Sequence, residues 1–252
     1  MNAVLTAPII AVASGKGGVG KTWLSITLAH ALARRRQRIL LFDGDLGLAN
    51  ADIQLGLMPE RDLGTYISGK ASLVDAVIPF TDGGFSVIAG RSGSGSLAAL
   101  SPARLSSLVT DLKELARSYD RVIIDLGAGI EPPVRMLASA ASTILVVTTD
   151  EPTALTDAYA FIKVTTAARV GADLRVVVNL ATSASAGERT YATLAKACNE
   201  FLKFTPPLAG IVRRDPRVRD AIRAQEALFN RHPNSDAAAD IEALARRLDS
   251  AP

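Results

Sequence analysis

Residues 13–23 read ASGKGGVGKTW, a glycine-rich stretch with two lysines. Gly15-Lys16-Gly17-Gly18-Val19-Gly20-Lys21-Thr22 fits the pattern G-x-x-x-x-G-K-[ST], after an apolar run (PIIAVAS, 8–14) and before a helical pattern. A strand that enters a glycine-rich turn and leaves it as a helix is the context in which the pattern means phosphate. The glycines let backbone N–H groups converge on phosphate oxygens, and the helix N-terminus adds a favourable dipole. Gly15, Gly17, Gly18, Val19, Gly20 and Trp23 are therefore candidate nucleotide-contacting positions. Lys21 is placed to reach the β- and γ-phosphates and Thr22 to bind Mg²⁺. Lys16, a second cation inside the turn, needs a separate reason.

Outward from the loop, short apolar runs alternate with helical patterns. The runs are RILLFDGD (38–45), FSVIAG (85–90), RVIIDLG (121–127), TILVVTT (143–149), LRVVVNL (174–180) and PLAGIV (207–212); amphipathic stretches cover 101–118, 153–170 and 187–203. Continuous apolar strands alternating with helices predict an α/β fold, a mostly parallel sheet with helices on both faces. Ligands in such sheets bind beyond the carboxyl ends of the strands. The Gly/Ser-rich stretch AGRSGSGSLAALS (89–101) reads as a loop within one domain over 7–249, with short ends at 1–6 and 250–252.

Two further strand ends carry candidate chemistry. Asp43 and Asp45 follow the second run; two carboxylates one residue apart suit a magnesium shell and a positioned water. Asp45 is the candidate for orienting water and Asp43 for the magnesium environment. Asp125 ends the RVIID run and fits a second acidic position that holds Mg²⁺ through water, with Gly127 and Gly129 behind it.

Composition narrows the rest. The 252 residues carry 28 basic and 25 acidic side chains, a net charge of +3 that does not by itself argue for nucleic acid or lipid. The single cysteine, Cys198, excludes an intramolecular disulfide and a Cys-rich metal site within one chain, and reads as a small buried residue on a helix. No signal peptide and no apolar run long enough to span a bilayer is visible, which predicts a cytoplasmic protein.

The string K-G-G-x-G-K-T resembles the deviant Walker motif of the MinD/ParA group of ATPases. The resemblance implies an ATP-dependent homodimer with slow, partner-stimulated hydrolysis, in which Lys16 reaches the phosphates held by the second copy. It also implies that Asn179, closing RVVVN, and Asp215, in IVRRDPRV (211–218), lie on the adenine side. Trp23 departs from the small residue usual at that position. DGDLGLANAD (43–52), DLGAGIE (125–131) and above all TTDEPTALTDAYAFIK (148–163) look like the flagellar-number regulators of the FlhG/FleN type. That similarity implies a flagellar SRP-like GTPase and flagellar switch or regulator proteins as partners, with transient residence at the membrane or cell pole.

Two departures accompany it. Members of the branch can carry an N-terminal DQAxxLR-type segment, and residues 1–8 do not match it. Relatives use a bulky amphipathic C-terminal helix at the membrane, whereas SDAAADIEALARRLDSAP (235–252) has Ile241, Leu244 and Leu248 at helical spacing but much alanine. A core-packed last helix with weak or no membrane binding is expected. In segment 148–163, Thr153 is the expected helix N-cap. Arginine clusters at 34–38 and 213–223 leave DNA possible but not favoured, solvated helix ends being the better reading. The alternatives are a DNA-partitioning or cell-division positioning ATPase and a non-hydrolysing nucleotide-binding scaffold.

Overall fold

A computed structural model describes residues 8–90 and 100–249. The strands are β1 (Ile9–Ser14), β2 (Ile39–Gly44), β3 (Val77–Phe80), β4 (Phe85–Ile88), β5 (Arg121–Ala128), β6 (Thr143–Thr148), β7 (Asp173–Ala181) and β8 (Leu208–Arg213). The helices are α1 (Lys21–Ala33), α2 (Ala51–Leu55), α3 (Leu63–Ile67), α4 (Pro102–Ala116), α5 (Pro132–Ala138), α6 (Pro152–Ala168), α7 (Ala184–Leu202), α8 (Pro216–Ala224), α9 (Leu228–Arg231) and α10 (Asp236–Asp249). Eight strands form one sheet in the order β3-β4-β2-β5-β1-β6-β7-β8. Every pairing is parallel except β3 with β4.

Both faces of the sheet are covered, so alternate residues of one strand enter different cores. In β1, Ile9, Ala11 and Ala13 pack with Leu105 of α4, Leu137 of α5, Phe161 of α6 and Leu194 of α7. Ile10 and Val12 pack with Leu24 and Leu28 of α1 and Ile241, Leu244 and Leu248 of α10. This double burial is why the strands read as unbroken apolar runs. β3 is the exception. Its sequence, VIPF, contains Pro79, which cannot donate to a ladder and is tolerated because β3 is an edge strand.

β1 lies at the centre, between β5 and β6, so the loop after it opens where strand order runs outward in both directions. On β2 and β5, Asp43 and Asp125 stand opposite one another in register. Cys198 is fully buried in α7, and burial pushes its thiol up to about 11.

The last helix is core-packed, as its alanine content implied. Ile241, Leu244 and Leu248 are buried, and the helix end is held through Asp249, which accepts from Arg35, Gln37 and Arg121. No helix among the described residues is long and apolar enough to cross a membrane. Of the loop at 89–101, residues 91–99 lie outside the described residues, as do 1–7 and 250–252.

Candidate functional site

The loop leaving β1 is clamped from two sides. Gly15 abuts α6 so closely that a Cβ there would lie 2.1 Å from the carbonyl oxygen of Asp157. Gly20 has φ 88° and would place a Cβ 2.5 Å from Nδ2 of Asn179 on β7. That same Nδ2 donates to the carbonyl of Val19 at 2.8 Å. Gly18 and Gly20 both adopt left-handed backbone, which is the conformational reason for glycine at those positions. The loop is thus a rigid turn held by α6 and β7.

Beside it is a cleft of about 700 Å³. Gly17, Gly18, Gly20, Lys21, Thr22 and Trp23 line one wall. The segment Gly44–Leu48 with Asn50 and Gln54, then Gly127, Ala128 and Glu131, and finally Ile222 of α8 complete it. Lys21 is only 8% exposed; burial lowers its pKa, opposed by the charges of Asp125 and Asp45. A buried ammonium at the edge of an open cleft is placed to meet an anion that enters it.

The three candidate aspartates have different surroundings. Asp125 is buried behind the loop and accepts hydroxyl hydrogen bonds from Thr22 and Ser25, the latter at 3.1 Å. Burial raises its pKa, against the pull of Thr22 and Lys21. Asp45 lines the cleft; its Oδ1 accepts from the amides of Gly47 (3.2 Å) and Leu48 (2.9 Å). A Cβ on Gly127 would lie 3.4 Å from that oxygen, so the loops after β2 and β5 meet there. Asp43 does not line the cleft. Its carboxylate is fully buried and accepts from the amides of Asp45 (3.2 Å), Asn50 (3.1 Å) and Ala51 (3.0 Å). Burial, then the charge of Asp125, raises its pKa. Expected in the magnesium environment, Asp43 stands in register with Asp125 without lining the cleft, and is the peg on which the segment 45–51 hangs.

Lys16 turns away from the cleft. Its Nζ lies 2.6 Å from Glu151 Oε2 and donates to Thr153 Oγ1 at 2.8 Å. Glu151, not Thr153, occupies the N-cap position of α6, because Pro152 takes the first helical position, where a missing N–H costs nothing. The Thr153 hydroxyl is thereby free to accept from Lys16. The sequence offered no signal for this pairing, since the partners are 135 residues apart.

The adenine-side candidates serve the scaffold in this geometry. Neither Asn179 nor Asp215 lines the cleft. Asn179 braces Val19, while its Oδ1 is buried without a partner. Asp215 caps α8, accepting from the Arg217 amide at 2.9 Å and the Ala237 amide at 3.5 Å. Gln54 and Glu131, which sequence reasoning did not single out, do line the cleft. Four of the clustered arginines are engaged internally: Arg34 with Glu242, Arg35 with Asp249, Arg38 with Asp120, and Arg213 with Asp236 and Asp240.

Comparison with known proteins agrees with this geometry. Residues 10–228 match the model of the CobQ/CobB/MinD/ParA nucleotide binding domain. The chain is 38% identical to the antiactivator FleN of Pseudomonas aeruginosa, over 97% of this chain and 87% of that protein. It is 30% identical to the flagellum site-determining protein YlxH of Helicobacter pylori, over 96% of this chain and 81% of that protein. Among solved structures, the cell division ATPase MinD of Pyrococcus furiosus superposes with a TM-score of 0.82 at 25% identity, covering 96% of this chain and 98% of that one. The MinD of Pyrococcus horikoshii, solved with Mg-ADP, shares the fold with a TM-score of 0.81 at 24% identity, over 97% and 96%. The loop, the sheet order around it and these matches agree: the chain belongs to the CobQ/CobB/MinD/ParA family of nucleotide-binding domains.

Proposed function

We propose that the chain is an ATP-dependent switch that binds Mg²⁺-ATP, pairs with a second copy of itself, hydrolyses ATP slowly and thereby regulates flagellar number or placement. The observation that carries the reading is the convergence of Lys21, Thr22 and Asp45 on one cleft with Asp125 immediately behind them. Similarity to FleN and YlxH over nearly the whole chain supports the flagellar assignment.

Each group has a role that follows from its surroundings. The backbone N–H groups of residues 17–22 receive phosphate oxygens, and the phosphates offset the desolvation of the buried Lys21 ammonium. The Thr22 hydroxyl and the Asp125 carboxylate are the hard oxygen donors that suit Mg²⁺. The metal, when bound, supplies charge neutralisation on the phosphates. Asp45, fixed by two amides at the cleft wall, orients the attacking water. Asp43 keeps Asp45 in place through the backbone. Asn179 and Asp215 shape the adenine side by positioning Val19 and α8.

Lys16 is the residue that makes a dimer part of the mechanism. In the single chain it is held by Glu151 and Thr153, outside its own cleft. A flexible cation so placed is suited to leave that site and neutralise charge on nucleotide bound by the second copy. Flagellar partners, an SRP-like GTPase and switch or regulator proteins, belong to this proposal; among relatives, MinD of Aquifex aeolicus was solved in complex with MinC.

Light scattering on wild type and Asp45→Ala, with Mg²⁺-ATP and with ADP, tests the reading. Asp45→Ala is expected to accumulate as an ATP dimer that Lys16→Ala abolishes. Samples that bind ATP and remain monomeric throughout contradict it.

A further inference from the structure

Two polar atoms at the cleft are buried and have no hydrogen-bond partner: the indole Nε1 of Trp23 and the side-chain Oε1 of Gln54. The first is a donor only and the second an acceptor only. Trp23 is in the first turn of α1 and Gln54 near the end of α2, two helices that pack together. Both residues line the nucleotide cleft. A donor and an acceptor left unmatched in the lining of one cleft are costly, and each calls for a partner. Neither atom is open to solvent, so a ligand entering the cleft does not reach them directly. The missing partner for each comes from the protein.

α2 is the short element that carries Gln54 beside α1. It has five residues and ends at Gly56, with φ 64°. It hangs from Asp43 through the amides of Asn50 and Ala51, and Asn50 Oδ1 accepts from Gln54 Nε2 at 3.2 Å. The same segment carries Asp45, Gly47 and Leu48 into the cleft. A group drawn toward Asp45 therefore pulls on the chain that ends at Gln54.

We propose that occupancy of the cleft closes a hydrogen bond from Trp23 Nε1–H to Gln54 Oε1, a latch that ties the helix following the phosphate loop to α2. Trp23 and Gln54 are positioning residues in this scheme. It rests on the nucleotide reading above and extends it. It also explains Trp23, since a small residue at that position offers no donor that reaches across to α2.

Trp23 is the single tryptophan of the chain, so its indole N–H gives one resonance in a ¹⁵N-labelled sample. That resonance is followed with and without a non-hydrolysable ATP analogue and Mg²⁺, while calorimetry on the same protein records binding. On saturation it moves downfield and its exchange with solvent slows by about fivefold or more, as one buried hydrogen bond provides. Gln54→Leu, compared at saturating analogue whatever its affinity, loses both changes. Gln54→Glu, which keeps an acceptor oxygen, retains them. So does Asp52→Ala, which removes the other buried, unpartnered α2 oxygen. If Gln54→Leu does not fold, Gln54→Met makes the same comparison. Binding heat with an unmoved indole, or a Gln54→Leu response equal to wild type, overturns the latch alone. No binding heat in wild type overturns the nucleotide reading and the latch with it.

Discussion

Lys16 and Glu151 are bonded in the single chain, Nζ to Oε2 at 2.6 Å, and the hydroxyl of Thr153 accepts a second bond from the same ammonium. The contact is exposed, with 37% of the Lys16 and 63% of the Glu151 side chain accessible, so it is a weak restraint that a stronger anion displaces. A dimer that uses Lys16 has to break it. Glu151→Ala is therefore expected to favour the ATP dimer, lowering the protein concentration at half-dimerisation by about two- to fivefold. Light scattering across a dilution series measures this. Weaker dimerisation of Glu151→Ala shows instead that Glu151 belongs to the interface.

Gly20 is the position where the loop combines a left-handed backbone with a close neighbour. Its φ of 88° and the Asn179 amide 2.5 Å from a built Cβ mean that Gly20→Ala both strains the backbone and displaces the brace on Val19. Nucleotide affinity is expected to fall by about tenfold or more, a loss of ~1.4 kcal/mol or above. Titration with a fluorescent ATP analogue tests it. Circular dichroism is expected to remain that of the wild type, because α1 and the sheet are anchored elsewhere.

His30 makes stability depend on pH. It is buried in α1 between Phe85 and Phe229, with Nδ1 lacking a partner, and burial and then Arg34 lower its pKa to about 4. The unfolded chain binds this proton near the ordinary value of ~6.5. The neutral folded form is thus fully favoured above ~6.5, and stability is lost as pH falls from there to about 4. The loss reaches up to about 3 kcal/mol. Urea unfolding at several pH values shows the slope, and His30→Leu flattens its part of it. An unchanged slope in His30→Leu assigns it to other groups.

Asp249 closes the last helix. It accepts from Arg35, Gln37 and Arg121, and its side chain is 17% exposed. Asp249→Ala leaves Arg121, itself 17% exposed, without this partner, at an expected cost of about 1–3 kcal/mol. Chemical denaturation measures it. Because Ile241, Leu244 and Leu248 face the core, flotation with anionic vesicles is expected to stay at background for the wild type.

Legibility in the sequence followed range. The phosphate loop, seven of the eight strands and the core-packed last helix were readable because each is encoded within a few consecutive residues: a glycine spacing, an apolar run, an alanine-rich helical repeat. β3 escaped because VIPF is short, contains proline and runs antiparallel at the edge, so it lacks the signature of a buried strand. Thr153 was misread as a cap because Pro152 moves the cap to Glu151. The three backbone amides that bond Asp43 were not legible, because an aspartate at a strand end does not reveal in sequence how the following segment folds back on it. The role of Asn179 as a brace and the pairing of Lys16 with Glu151 depend on contacts between distant segments, which local patterns do not carry.

The fit between Gly15 and the Asp157 carbonyl has a bearing on how such proteins are recombined. The loop at 14–23 and the segment at 148–163 form one interlocking surface, joined also by Lys16 and Glu151 from positions 135 residues apart. A chimera that transplants the glycine loop alone keeps the motif and loses its seat. The transferable module is discontinuous, and the segment at 148–163 is half of the socket in which the glycine motif rests.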